Sequence, residues 1–388
     1  ATIYDPGYWM YGNHRFRSGH ALGPVNLRRS IVMSSNVYYY SLAHEMGVQA
    51  IHDFMKPLGF GQITGIDMLG EVRGVLPSPE WKRKTYKRPE QQKWLPGETV
   101  SLGIGQGYNN FTMLQMAHAL ATLVNGGTRI EPRLALRLQD PLTQAQETPA
   151  RAAPVSLGFQ AKNVEQVKNA MVGVTQEGTG RGVFAGAAYL SGGKTGTAQA
   201  VTVGQNQRYN AGALAEHKRD HSLYIAFAPA ENPTIAVAVI VENAGFGAVA
   251  AAPITRRVLD YWLLGQYPSQ EDIAATQAGR SAAPIGQPRL AAQVPWPPKE
   301  VGAMASANES GVFAAPAEMA VSPLKPAAAA AAEVASSAPS YVPAPAIREM
   351  MALFVRHKQQ TPASALQPAV SGSSVALPAS AAAPASRP

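Results

Sequence analysis

YLSGGKTGTAQA, residues 189–200, reads as a strand built from small and β-branched residues around a single lysine. Two more runs come after it, SLYIAFAP (222–229) and TIAVAVIVE (234–242), rich in β-branched and aromatic residues and bounded by Pro, Asn and Gly. AENP (230–233) joins the last two as a turn. Three such runs in succession predict an antiparallel meander. A final amphipathic helix is expected over about 248–264.

The segment before 189 is helical. GPVNLRRSIVMSSNVYYYSLAHEMGVQAIHDFMKPLGFG (23–61) predicts two helices with a polar break at Ser34-Ser35-Asn36. Leu27, Ile31 and Val32 recur at helical spacing before the break, and Tyr39, Leu42, Ala43 and Met46 after it. Gly47, Pro57 and Gly59 punctuate the stretch beyond. Another helix starts at Thr112, where Gln115 completes a capping box, and stops at Gly126. A further one runs from about Asn163 with Val164, Val167, Met171 and Val174 on one face. Helices, then a meander, then a closing helix imply an α+β fold with helices packed on an antiparallel sheet.

Composition divides the chain. Residues 1–266 have globular composition and are expected to form one domain; from 267 to 388 the sequence turns Ala, Pro and Ser rich and is expected to be a disordered tail. Within that tail, IREMMALFVRHK (347–358) has the pattern of a short amphipathic helix. The net charge of +8 suits nucleic acid, an anionic membrane surface or an acidic polymer, and does not choose among them. Its densest basic run, Lys82, Arg83, Lys84, Lys87 and Arg88, lies in a loop-like, proline-flanked stretch with no recognition motif beside it. It reads as a solvated face, and no nucleic-acid partner is expected. There is no cysteine, which excludes disulfides, thiolate metal sites and cysteine nucleophiles. No apolar run is long enough to span a membrane. The chain begins abruptly with Ala, so it is expected to be a piece of a longer protein.

Lys194-Thr195-Gly196-Thr197 carries recognisable chemistry. An edge strand can pair with a substrate peptide, a lysine can attract its carboxylate, and hydroxyls can fix it. Gly196 lets a ligand approach the backbone, and the Thr197 N–H can serve as one arm of an oxyanion hole. Taken alone, such a lysine can equally be a guard against edge-to-edge aggregation. Ser34 and Asn36, two apart on a tight turn, can point together into a cleft, where the hydroxyl relays a proton and the amide holds a neighbour; equally they can be a helix cap.

The two motifs in this order, about 160 residues apart, together with GIGQGY (103–108), resemble the penicillin-binding transpeptidase family, whose members carry S-x-x-K, then S-x-N, then K-T-G. YDPGYW, TGIDMLGE, KTGTAQ, LYIAFAPAENP and VIVENAGFG are similar to the elongation-specific class B branch, the penicillin-binding protein 2 type, over about residues 2–266. The resemblance implies a penicillin-binding and serine β-lactamase-like fold. It also implies acyl transfer that cross-links D-Ala-D-Ala stem peptides, with β-lactams as suicide substrates. By the same resemblance, Ser34 is the relay serine, Asn36 its positioning partner, Lys194 and Thr195 the carboxylate site, and Gly196 and Thr197 the substrate-binding strand. A periplasmic site, an inner-membrane anchor and a SEDS-type glycan polymerase partner are implied as well. No cofactor is called for.

The nucleophilic serine is missing where the family has it, because no S-x-x-K precedes Ser34. Ser191-Gly-Gly-Lys194 lies inside the K-T-G strand and Ser322-Pro-Leu-Lys325 lies in the tail, so both fall on the wrong side of Ser34. The chain alone is therefore expected to be inactive. Other readings of the same motifs are a non-catalytic peptidoglycan-binding scaffold, a carboxypeptidase or a serine β-lactamase. Asp5, His14 and His20 sit where some relatives hold a metal, but one carboxylate and a loose histidine pair are too few ligands, and no metal is expected. His217, Asp220 and His221 read as surface residues at a strand entrance.

Overall fold

The computed structural model describes residues 1–201, 209–280 and 282–294. At its centre is a three-stranded antiparallel sheet in which His221–Ala228 lies between Ile235–Val241 and Gly192–Ala198. The meander is thus the expected one.

The middle strand separates two cores because successive side chains point to opposite faces. Tyr224, Ala226 and Ala228 face Val183, Phe184 and the closing helix Ala251–Leu264, through Ala251, Ala252 and Leu259. Phe227 faces the other way, onto Ile31, Leu120, Ala170, Met171 and Val174. Those residues come from the helices Leu27–Val32, Met113–Val124 and Ala161–Gln176. The layers are therefore helix, sheet, helix. Glycines in the first strand make room for the large rings of the second: a Cβ on Gly193 would collide with the Tyr224 hydroxyl, and one on Gly192 would collide with the Phe227 ring.

Local signals account for the element ends. Thr112 and Gln115 form the reciprocal box, with Gln115 N donating to Thr112 Oγ1 at 3.1 Å and Thr112 N to Gln115 Oε1 at 3.0 Å. Helix Asn36–Met55 continues through Gly47, whose φ of 74° kinks it.

Two expectations are corrected. The basic run is not loop-like throughout: Lys82, Arg83 and Lys84 lie in helix Pro79–Thr85, where Lys82 is buried, while Arg83, Lys84, Lys87 and Arg88 are exposed as a solvated face should be. Order also does not stop at 266. Helix Gln270–Gln277 packs back through Asp272, which accepts from Arg257 Nε at 2.8 Å, and Gln266–Tyr267 pairs with Arg289–Leu290. An arginine partner for the buried Asp272 anchors a segment whose composition alone suggested none. Residues 347–358 lie outside the described residues.

Candidate active-site cleft

The site grows from a turn and a strand. Helix Leu27–Val32 ends at Met33, and Ser34 adopts φ 57°, a left-handed conformation unusual outside glycine. That strained residue reverses the chain between two helices. Ser35, not Ser34, is the helix cap, its hydroxyl accepting from Tyr38 N at 3.3 Å and donating to the buried Asp5 carboxylate at 2.6 Å. Asp5 also accepts from Gly7 N at 2.8 Å. The N-terminal strand Thr2–Asp5 therefore pins the turn, and the Ser34 side chain is left to face the sheet.

There it meets Lys194, whose Nζ donates to Ser34 Oγ at 2.8 Å and to the Thr195 carbonyl at 3.0 Å. Burial pushes the Lys194 ammonium down to about 8. Near neutral pH it is mostly charged, with an appreciable neutral fraction. Thr195 Oγ1 lies 3.0 Å from Thr179 Oγ1, a residue that sequence reasoning missed; GTG at 178–180, with its threonine between two glycines, was the available signal. Asn36 opens its helix one turn before Tyr40, whose hydroxyl donates to the Arg17 carbonyl at 3.0 Å.

Gly192–Ala198 is the edge of the sheet, and its open side faces GIGQGY. Gln106 Nε2 donates to the Thr197 carbonyl at 2.7 Å, and Gln106 Oε1 accepts from Gln199 N at 3.4 Å. In an antiparallel strand the N–H and C=O of one residue share a side, so the Thr197 N–H also faces the cleft. The chain's own loop crosses this strand at Gly247, where a Cβ would lie 2.6 Å from the Gly196 carbonyl. An ammonium beside the hydroxyls of Ser34, Thr195 and Thr179 can hold a carboxylate. A hydroxyl bonded to a partly neutral amine can pass a proton.

The matched family model is the penicillin binding protein transpeptidase domain, over residues 1–260. The chain belongs to that family. It is 40% identical to the peptidoglycan D,D-transpeptidase MrdA of Haemophilus influenzae over 278 residues, 70% of this chain and 42% of that protein. Among solved structures it resembles penicillin-binding protein 2 of Pseudomonas aeruginosa in complex with WCK 5153, with 38% identity, TM-score 0.56, and coverage of 74% of this chain and 57% of that one. It also resembles a chain of a peptidoglycan synthase complex described as coordinating polymerization and crosslinking, with 27% identity, TM-score 0.55, and coverage of 68% and 42%. The chain thus spans about two fifths of the length of the curated relatives it matches.

The other residues singled out in this penicillin-binding family chain stand apart from the cleft. Ser191 is buried, its carbonyl accepting from Thr175 Oγ1 at 2.7 Å, and Ser322 lies outside the described residues. His14 packs against Phe16 with ring centroids 4.5 Å apart, and burial lowers its pKa; His20 is exposed. Among the described residues no three His, Asp or Glu side chains converge. Asp220 and His221 are not loose surface residues. Asp220 is buried, which raises its pKa, and accepts from Ala200 N at 3.3 Å, while His221 Nδ1 accepts from Asn243 N at 3.0 Å. His217 is exposed as expected. No helix among the described residues is long and apolar enough to cross a membrane.

Proposed function

We propose that this chain supplies the relay and carboxylate-binding walls of a peptidoglycan D,D-transpeptidase of the elongation type. The observation that carries the reading is the 2.8 Å contact between Lys194 Nζ and Ser34 Oγ, two residues 160 apart in sequence, at the open edge of a strand. Lys194, Thr195 and Thr179 bind the terminal carboxylate of a D-Ala-D-Ala stem peptide. This places the penultimate carbonyl near the Thr197 N–H, which stabilises the developing oxyanion. Asn36 lines the turn beside the substrate.

The nucleophile is a serine of the whole protein that this chain does not contain. Its oxygen bonds to the penultimate D-Ala carbonyl carbon, the peptide C–N bond breaks, and D-Ala leaves with a proton on its amine; Lys194 and Ser34 relay that proton. The amine of a neighbouring stem peptide then attacks the ester, forming the cross-link and returning the proton to the serine. β-Lactams enter the same site as acylating substrates. The whole protein works at the periplasmic face of the inner membrane beside a SEDS-type glycan polymerase; the likeness to a synthase complex that coordinates polymerization with crosslinking supports that pairing.

Acylation by a fluorescent penicillin tests the reading. In the full-length protein, Lys194→Met and Ser34→Ala should each slow labelling by about 10²-fold or more. The 388-residue chain alone should take no covalent label. Wild-type labelling rates in the Lys194→Met protein would overturn the assignment.

A further inference from the structure

The open edge of the K-T-G strand is already occupied. Gln106 donates to the Thr197 carbonyl at 2.7 Å and accepts from the Gln199 N–H at 3.4 Å, so one side-chain carboxamide fills two successive ladder positions as a peptide group of a fourth strand would. An extended peptide pairing along this edge must use the same backbone groups.

The backbone of Gln106 is held apart from those two contacts: its N–H donates to the Ser101 carbonyl at 3.1 Å, so leaving the strand edge needs only a side-chain rotation. Gly105 and Gly107 flank the residue with φ of 78° and 75°, and a Cβ on Gly105 would meet nothing within 4 Å. One residue on, the loop is anchored: the Tyr108 hydroxyl donates to Glu98 Oε1 at 2.9 Å, and Glu98 is paired with the buried Lys82. A rotation at Gln106 therefore need not drag the loop with it.

We propose that Gln106 is a displaceable placeholder for the substrate's backbone: it satisfies the strand edge in the empty cleft and swings off when an N-acylated D-Ala-D-Ala peptide pairs with Thr197. This rests on the carboxylate-site reading of Lys194 above. Binding then competes with two internal hydrogen bonds. Removing them should tighten peptide binding by about three- to ten-fold. Gln106→Asn, one methylene shorter, cannot span both partners and should act in the same direction as Gln106→Ala. A fixed splint that merely holds the strand would do the opposite.

The test is an NMR titration of the 388-residue chain with diacetyl-L-Lys-D-Ala-D-Ala, on wild type, Gln106→Ala, Gln106→Asn and Lys194→Met, with thermal melts to check folding. The placeholder predicts that the Gln106 side-chain amide signals shift on binding, that both Gln106 variants bind more tightly, and that the Gln199 amide exchanges faster in both before peptide is added. Equal or weaker binding by the folded variants overturns it, as does a Gln106 signal that does not respond to bound peptide. Lys194→Met separates the two readings. Loss of binding there upholds the carboxylate site whatever Gln106 does. Wild-type binding by Lys194→Met, or no binding by any chain, sinks the carboxylate-site reading and this inference with it.

Discussion

Replacing Lys82 by Met should destabilise the domain by about 3–5 kcal/mol, far more than an ordinary surface charge would. The Lys82 side chain is 4% exposed and its partner Glu98 is 11% exposed. Nζ also donates to the Lys93 carbonyl at 2.8 Å and lies 5.7 and 5.5 Å from the rings of Trp94 and Tyr108. Met keeps most of the stem volume, so little cavity forms. The loss is that of the cation, leaving the Glu98 carboxylate with the Tyr108 hydroxyl and the Leu95 N–H at 2.9 and 2.8 Å. Burial and that carboxylate together raise the Tyr108 pKa, so the phenol stays a donor and cannot replace the charge. Urea unfolding of Lys82→Met, Glu98→Gln and the double variant measures the effect. The double variant should lose less than the sum of the singles by about 2 kcal/mol, because the second change removes the stranded charge. A Lys82→Met cost below about 1 kcal/mol, or strict additivity, would refute the buried-network account and make Lys82 energetically no different from an exposed charge.

Stability should also respond to pH through Lys194. Its pKa is about 8 in the folded chain against 10.5 unfolded, so between those values the unfolded chain binds more protons and stability rises with pH. Unfolding curves across that window should show the rise in wild type relative to Lys194→Met, and parallel curves would count against the shift. Asp5→Ala should cost about 1.5–3 kcal/mol by stranding the buried Ser35 hydroxyl. It should also speed amide exchange through residues 33–36, where unchanged exchange would show that Asp5 does not hold the Ser34 turn. Tyr224→Phe should be neutral or stabilising by about 1 kcal/mol, since the Tyr224 hydroxyl is buried with no partner. Gly193→Ala should instead lose about 2 kcal/mol or more, with part of that recovered in the Tyr224→Phe background because the hydroxyl stands where the new methyl must go. A Gly193→Ala melt equal to wild type would contradict the packing.

Features that depend on neighbours in sequence were legible from sequence. The alternation in SLYIAFAP, the Thr112 capping box and the break at Ser34-Ser35-Asn36 are patterns over a few residues, and the strands, cap and turn formed where they predicted. Motif order was enough to name the family, because Ser34 and Lys194 must converge for those residue types to share a task. Only the tertiary structure decided which of several local options each residue takes. Ser35 became the cap because Asp5, 30 residues away, accepts its hydroxyl, and that left Ser34 for Lys194. Lys82 left solvent because Glu98 and two aromatic rings came to meet it. Helix Gln270–Gln277 ordered because Arg257 offered its carboxylate a partner. Gln106 turned from a loop residue into the strand's neighbour across 91 positions. Each of these is a polar group whose burial is favourable only once a distant partner has arrived. A local pattern carries no information about such partners, since the free energy of a buried charge or hydrogen bond is set by the fold around it.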